Sequence, residues 1–125
     1  MGDRVFRHAG DIRPGGIVCV ADHASNRVPD EVSLGLEPAL LHDHIALDIG
    51  VEGVADRLAR RHGIPAHIAC VSRLVCDFNR AEDDPAVAPE TSDGHVIPGN
   101  LGADVQRRLT AYHRPYHEGL AAFIA

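Results

Sequence analysis

Gly15-Gly16-Ile17-Val18-Cys19-Val20-Ala21-Asp22-His23 decides the fold: two glycines release into a short apolar, β-rich run that halts at an acid and an imidazole. An unbroken apolar run, rather than an alternating one, marks a strand covered on both faces, the kind found in parallel sheets. Its exit, Ala24-Ser25-Asn26-Arg27-Val28-Pro29, is polar, and the proline disfavours helix at Val28, so the strand leads into a loop. Pro29 is suited to open a short helical turn. Further on, Val51, Val54, Ala55, Leu58 and Ala59 recur at helical spacing, and Arg57, Arg60 and Arg61 gather at the end that favours cations. Gly63 reads as the residue that closes this helix, Pro65 bars its resumption, and Asp48 is placed to cap its start. His67 to Val71 and Leu74 to Phe78 both read as strands, parted by Ser72-Arg73. The order strand, helix, strand predicts a right-handed parallel crossover.

The remainder of the chain fits one domain. At 125 residues it is long enough to bury about two-thirds of its unfolded surface. Its 45% hydrophobic and 24% charged residues are those of a globular protein, and no apolar run approaches the ~20 residues a membrane span needs. Met1 to His8 carries no apolar stretch of the secretory kind, so a cytoplasmic location is expected. Every basic residue is arginine, yet the net charge is −6, which disfavours a general nucleic-acid or anionic-membrane binder. Cys19, Cys70 and Cys76 are an odd number without CxxC spacing and read as core thiols, with a disulfide or metal site as the alternative. Residues 81 to 102 read as a long loop with Glu82-Asp83-Asp84 at its start. Val105, Leu109, Tyr112, Tyr116, Leu120 and Phe123 then outline an amphipathic helix, with a kink expected at Pro115.

Several residues can carry chemistry. His23 lies where the first strand ends, and ligands of open α/β sheets sit beyond the carboxyl ends of the strands. The plainer reading is a loop histidine bonded to its neighbours. Catalytic zinc takes three protein ligands, and Asp22, His42, His44 and Asp48 are the candidates nearest in sequence. His42-Asp43-His44 just before a helix equally suits surface histidines. His113 and His117, four apart, share a helix face and would make half of a metal site. Arg73 and Arg80 bracket the run 74 to 78, where guanidinium groups clamp a substrate carboxylate bidentately, with Asn79 as a neutral donor. An internal ion pair with Asp77 or Asp48 explains the same arginines. No phosphate-binding glycine loop, GxSxG elbow or HExxH motif is present.

The stretches 22 to 29, His44-Ile45-Ala46-Leu47-Asp48-Ile49-Gly50, Ser72-Arg73-Leu74-Val75-Cys76-Asp77-Phe78-Asn79-Arg80, Ser92-Asp93-Gly94, Ile97-Pro98-Gly99-Asn100 and Pro115-Tyr116-His117 occur in an order that resembles the N-formylglutamate amidohydrolase family. That family resembles the zinc carboxypeptidases and aspartoacylase-like amidohydrolases, whose first zinc motif is HxxE. Here the frame reads His23-Ala24-Ser25-Asn26, so a neutral amide stands where the carboxylate belongs.

The resemblance implies a three-layer α/β fold, a mainly parallel sheet flanked by helices. It implies zinc held by His23 with Asn26 or Asp48. It places Arg73, Asn79, Arg80 and His117 on the substrate, N-formyl-L-glutamate or a related N-acyl amino acid, in amino-acid degradation. The expected reaction is hydrolysis to the carboxylate and the free amine. In that frame the remaining histidine ligand and the general base lie beyond Ala125, so the chain reads as C-terminally truncated, with impaired activity and a sheet edge open to self-association. The alternatives are a non-catalytic binding module for an acidic metabolite and an assembly fragment that needs a partner chain.

Overall fold

The computed structural model describes residues 4–125. Its centre is a three-stranded sheet in the order β1 (Phe6–Ala9), β3 (Ala66–Ala69), β2 (Cys19–Ala21). β2 and β3 are parallel and enclose α1 (Val51–His62), which is the predicted crossover unit. β1 pairs antiparallel with β3, Phe6 opposite Ala69 and Ala9 opposite Ala66. The sheet of the described residues is therefore mixed rather than mainly parallel. The central strand is buried throughout, and its side chains alternate between two helices. Ala66 and Ile68 pack with Ala55 of α1, whereas His67 and Ala69 face Tyr116 of α3 (Arg114–Ile124).

Three local expectations change. β2 is an edge strand and begins at Cys19, because Ile17 is 72% exposed and makes no part of the ladder. Residues 74–78 are buried but pair with no strand; they run through turns in which Val75 and Cys76 donate to the Ser72 carbonyl. Ser72 causes this, since its hydroxyl takes the Leu74 N–H at 3.2 Å while donating to the Ala46 carbonyl at 2.8 Å, a local alternative to a ladder. Asp48 does not cap α1. Gly50 holds the N-cap in the left-handed region at φ 88°, and the Asp48 carboxylate turns to Arg73 and His23. The other end is as expected, with Gly63 at φ 65° donating to the Leu58 carbonyl.

The stretch 81–102 is a chain of short elements. Two 3-10 turns, Pro85–Val87 and Pro98–Asn100, flank a hairpin of β4 (Thr91–Ser92) and β5 (His95–Val96), turned by Asp93 and Gly94 at φ 46° and 81°. Gly99 is obligatory there: a Cβ would fall 1.8 Å from the Ser33 carbonyl oxygen. The C-terminal helix starts as α2 (Val105–Arg108), capped by Asp104, and opens into one π turn, Leu109–His113, before continuing as α3. Pro115 supplies the reason, because it has no N–H for the carbonyl of Ala111. α3 lies close to β1 through a notch at Gly119, where a Cβ would fall 2.3 Å from the Phe6 ring. Arg7 ties β1 to α1 by a bidentate bond to Asp56 at 2.9 and 3.0 Å.

The three cysteines are free, and burial pushes the Cys76 thiol up to about 12. Between β1 and α3, His8 Nε2 lies 2.8 Å from His67 Nδ1, and His67 Nε2 donates to the Tyr116 carbonyl. Burial lowers both imidazoles, and His8 lowers His67 further. A depressed histidine stabilises the fold fully above its unfolded value near 6.5 and less as pH falls below it. His67→Gln should therefore lose less stability than wild type between about pH 7.5 and about pH 5.5 in urea titrations. Parallel losses would exclude His67 as the source.

Candidate functional site

β2 delivers Asp22 and His23 to the end of the sheet, and the His23 carbonyl accepts the Asp48 N–H at 2.8 Å, which fixes the entry to α1 beside it. The His23 ring lies between two carboxylates. Nε2 donates to Asp77 Oδ1 at 2.7 Å, and Nδ1 is 3.3 Å from Asp48 Oδ2. Asp77 is buried in the turn after 74–76 and also accepts the Asn79 N–H at 3.0 Å. Burial alone would lower the His23 pKa, and the Arg73 charge acts the same way, but the Asp77 bond and the two carboxylate charges outweigh them and leave it raised. Burial likewise pushes Asp77 up, and its bonds to His23 and Asn79 with the charges of His23 and Arg73 leave it below the ordinary carboxylate value. Each group thus favours the charged form of the other, and their contact strengthens the Nε2–H bond to the carboxylate.

The two arginines part company. Arg73 takes the ion-pair alternative, lying 3.4 Å from Asp48 and 3.5 Å from Asp77, so that it braces both carboxylates around His23. Arg80 is looser, 3.8 Å from Asp77 and 3.7 Å from Asp84, and its side chain is 48% exposed. It lines an open cavity of about 570 Å³ together with Glu82, His113, Arg114, His117 and Glu118. His113 and His117, ring centroids 4.5 Å apart, donate from Nε2 to the carbonyls of Arg80 and Phe78 at 2.8 and 2.9 Å. Carbonyls only accept, so both protons sit on Nε2.

The other candidates have different occupations. Asn26 donates its amide N–H to the Leu41 carbonyl at 2.8 Å. His44 is exposed between Asp43 and Asp93, clasping the β4–β5 hairpin. Asn79 contributes its backbone N–H to Asp77. Sequence reading missed the Tyr116 hydroxyl, which donates to Asp22 Oδ1 at 2.6 Å while its ring stacks on Phe78 at 4.0 Å. The available signals were its place between two histidines on an apolar helix face and its membership of the Pro115-Tyr116-His117 stretch. Among the described residues no group of three or more His, Cys, Asp and Glu is placed to hold a metal ion. The donors that face one another are His23 Nδ1 and Asp48 Oδ2, with Asp77 on the opposite nitrogen as an orienting carboxylate.

No helix among the described residues is long and apolar enough to cross a membrane. No curated protein matches the chain. Among solved structures it is similar to a gene product of Agrobacterium tumefaciens, with 29% identity and a TM-score of 0.90 over 97% of this chain and 50% of that one. It is also similar to the N-formylglutamate amidohydrolase of Ralstonia eutropha JMP134, with 27% identity and a TM-score of 0.69 over 96% of this chain and 50% of that one. The chain thus spans about half the length of the solved structures it matches. The model of the N-formylglutamate amidohydrolase family matches residues 15–125, which contain His23, Asp48, Arg73, Asp77 and Arg80, and the chain belongs to that family.

Proposed function

We propose that the chain carries part of an amidohydrolase site for N-formyl-L-glutamate or a related N-acyl amino acid. The observation that carries this reading is the His23 cluster at the end of β2, flanked by an arginine that keeps an exposed face toward a cavity. The donor set fits zinc as two ligands, His23 Nδ1 and Asp48, where a catalytic zinc takes three. When bound, zinc supplies polarisation of the acyl carbonyl and an acidified water. His23 is held for this role by Asp77, which accepts a hydrogen bond from Nε2–H and directs Nδ1 toward Asp48. Arg73 holds both carboxylates in place. Arg80 offers the fork that receives a substrate carboxylate, with the acyl amide directed toward His23.

Calorimetric titration tests the two halves separately. Zinc should bind the wild type and fail to bind His23→Ala. N-formyl-L-glutamate should bind the wild type, and Arg80→Lys should weaken it nearly as much as Arg80→Ala, because an ammonium cannot reproduce the planar fork. Equal zinc binding by wild type and His23→Ala would remove His23 from the metal site, and unchanged ligand binding by Arg80→Ala would remove Arg80 from the substrate site.

A further inference from the structure

We propose that His117 and Tyr116 are positioning residues, through which α3 fixes the two separate backbone segments that carry His23 and Asp77. The inference rests on the reading of His23 and Asp77 as the centre of the site. His23 arrives on the end of β2, whereas Asp77 arrives on a turn whose N–H groups at 77 and 80 bond to the Val87 and Asp77 carbonyls and make no bond to β2. The 2.7 Å contact therefore joins two segments that need an external frame.

One face of the C-terminal helix supplies it. On the turn, His117 Nε2 donates to the Phe78 carbonyl, His113 Nε2 donates to the Arg80 carbonyl, and the Tyr116 ring lies flat on Phe78 with an interplanar angle of 3°. On the strand side, the Tyr116 hydroxyl donates to Asp22, the residue before His23. The π turn ends at His113, so the helix presents His113, Tyr116 and His117 together to these groups. Each contact is to a backbone carbonyl or to a neighbour of a site residue, and none is to the imidazole or to Asp77 itself. Their effect on the site is one of distance and angle.

The test reads the hydrogen bond rather than turnover. In protein labelled with ¹⁵N at histidine, the His23 Nε2–H bonded to Asp77 gives a downfield proton resonance, assigned by its loss in His23→Gln. The expected result is that His117→Leu loses this resonance to solvent exchange or moves it upfield, while His117→Gln, whose side-chain N–H reaches the same carbonyl, restores it. A purely stabilising role would lower the melting temperature of His117→Leu and leave the resonance in place at low temperature, which overturns the proposal. Should His117→Leu fail to fold, Tyr116→Phe, which keeps the ring stack and loses only the hydroxyl, is read in the same way: displacement supports the proposal and an unmoved resonance overturns it. Because no arm measures substrate or zinc, absent binding of N-formyl-L-glutamate by the wild type would overturn the proposed activity alone.

Discussion

Asp77→Ala is expected to lower unfolding free energy by about 3 kcal/mol, because removal of one partner from a buried pair strands the other. The Asp77 side chain is 5% exposed, accepts from His23 and from the Asn79 N–H, and lies within ion-pair distance of Arg73 and Arg80. Alanine leaves an imidazole with its inner nitrogen unpaired and a turn without its acceptor. The penalty depends on pH. His23 has a raised pKa, so its contribution is complete below the unfolded value near 6.5 and declines as pH rises through the folded value. Asp77 has a lowered pKa, so its contribution is complete above the ordinary value near 3.9 and declines as pH falls through the folded value. The difference between wild type and Asp77→Ala should be greatest between about pH 4 and about pH 6.5 and shrink on both sides. Urea titrations across that range measure it, and a difference constant with pH would remove the His23–Asp77 pair as its origin.

Asn100→Ala is expected to cost as much, about 3 kcal/mol, without touching a site residue. Asn100 is 3% exposed and donates to the carbonyls of Leu74 and Pro89, each at 2.8 Å, while its own oxygen accepts from Arg108 Nη1 at 2.8 Å. Arg108, itself buried, also donates to the Val75 carbonyl, and it has no carboxylate partner in this network. Alanine strands the buried Leu74 carbonyl, the half-buried Pro89 carbonyl and one N–H of the Arg108 guanidinium. Asn100→Asp would recover only the Arg108 contact and should remain well below wild type. A loss under about 1 kcal/mol for Asn100→Ala would show that the 74–76 segment holds its course without this support.

Local signals carried part of the architecture. The β2–α1–β3 unit was legible because each element is bounded by its own punctuation, Gly15-Gly16 before the strand and Gly63 and Pro65 after the helix. His23 was legible as a candidate because its position follows from the strand end. Long-range features were not. β1 is four residues with Arg7 and His8 among them, and it exists because β3 offers an antiparallel edge, not because Phe6–Ala9 favours a strand alone. Leu74 to Phe78 has the composition of a buried strand, and composition reports burial; the Ser72 hydroxyl decides that the backbone turns. Asp48 suits a cap by residue type, but the cation and imidazole it meets are 25 residues apart from it on either side in the fold's wiring, Arg73 after it and His23 before it. The Asn100–Arg108 network has no sequence signature, since its carbonyl partners lie 11, 26 and 33 residues away.

The placement of the two tyrosines has an optical consequence. The chain has no tryptophan, and Tyr112 and Tyr116 are its only tyrosines, both buried in the π turn and α3. Each hydroxyl donates to a carboxylate on another part of the chain, Tyr112 to Glu31 and Tyr116 to Asp22. Near-ultraviolet absorption, circular dichroism and intrinsic emission of the native protein therefore originate almost wholly in one helix at its contacts with the rest of the domain. Hydrogen bonding to carboxylate quenches phenol emission, so release of the helix brightens the protein and collapses its near-ultraviolet dichroism together. Detachment of the element behind the His23–Asp77 pair can thus be followed in unlabelled protein, separately from the far-ultraviolet signal of α1.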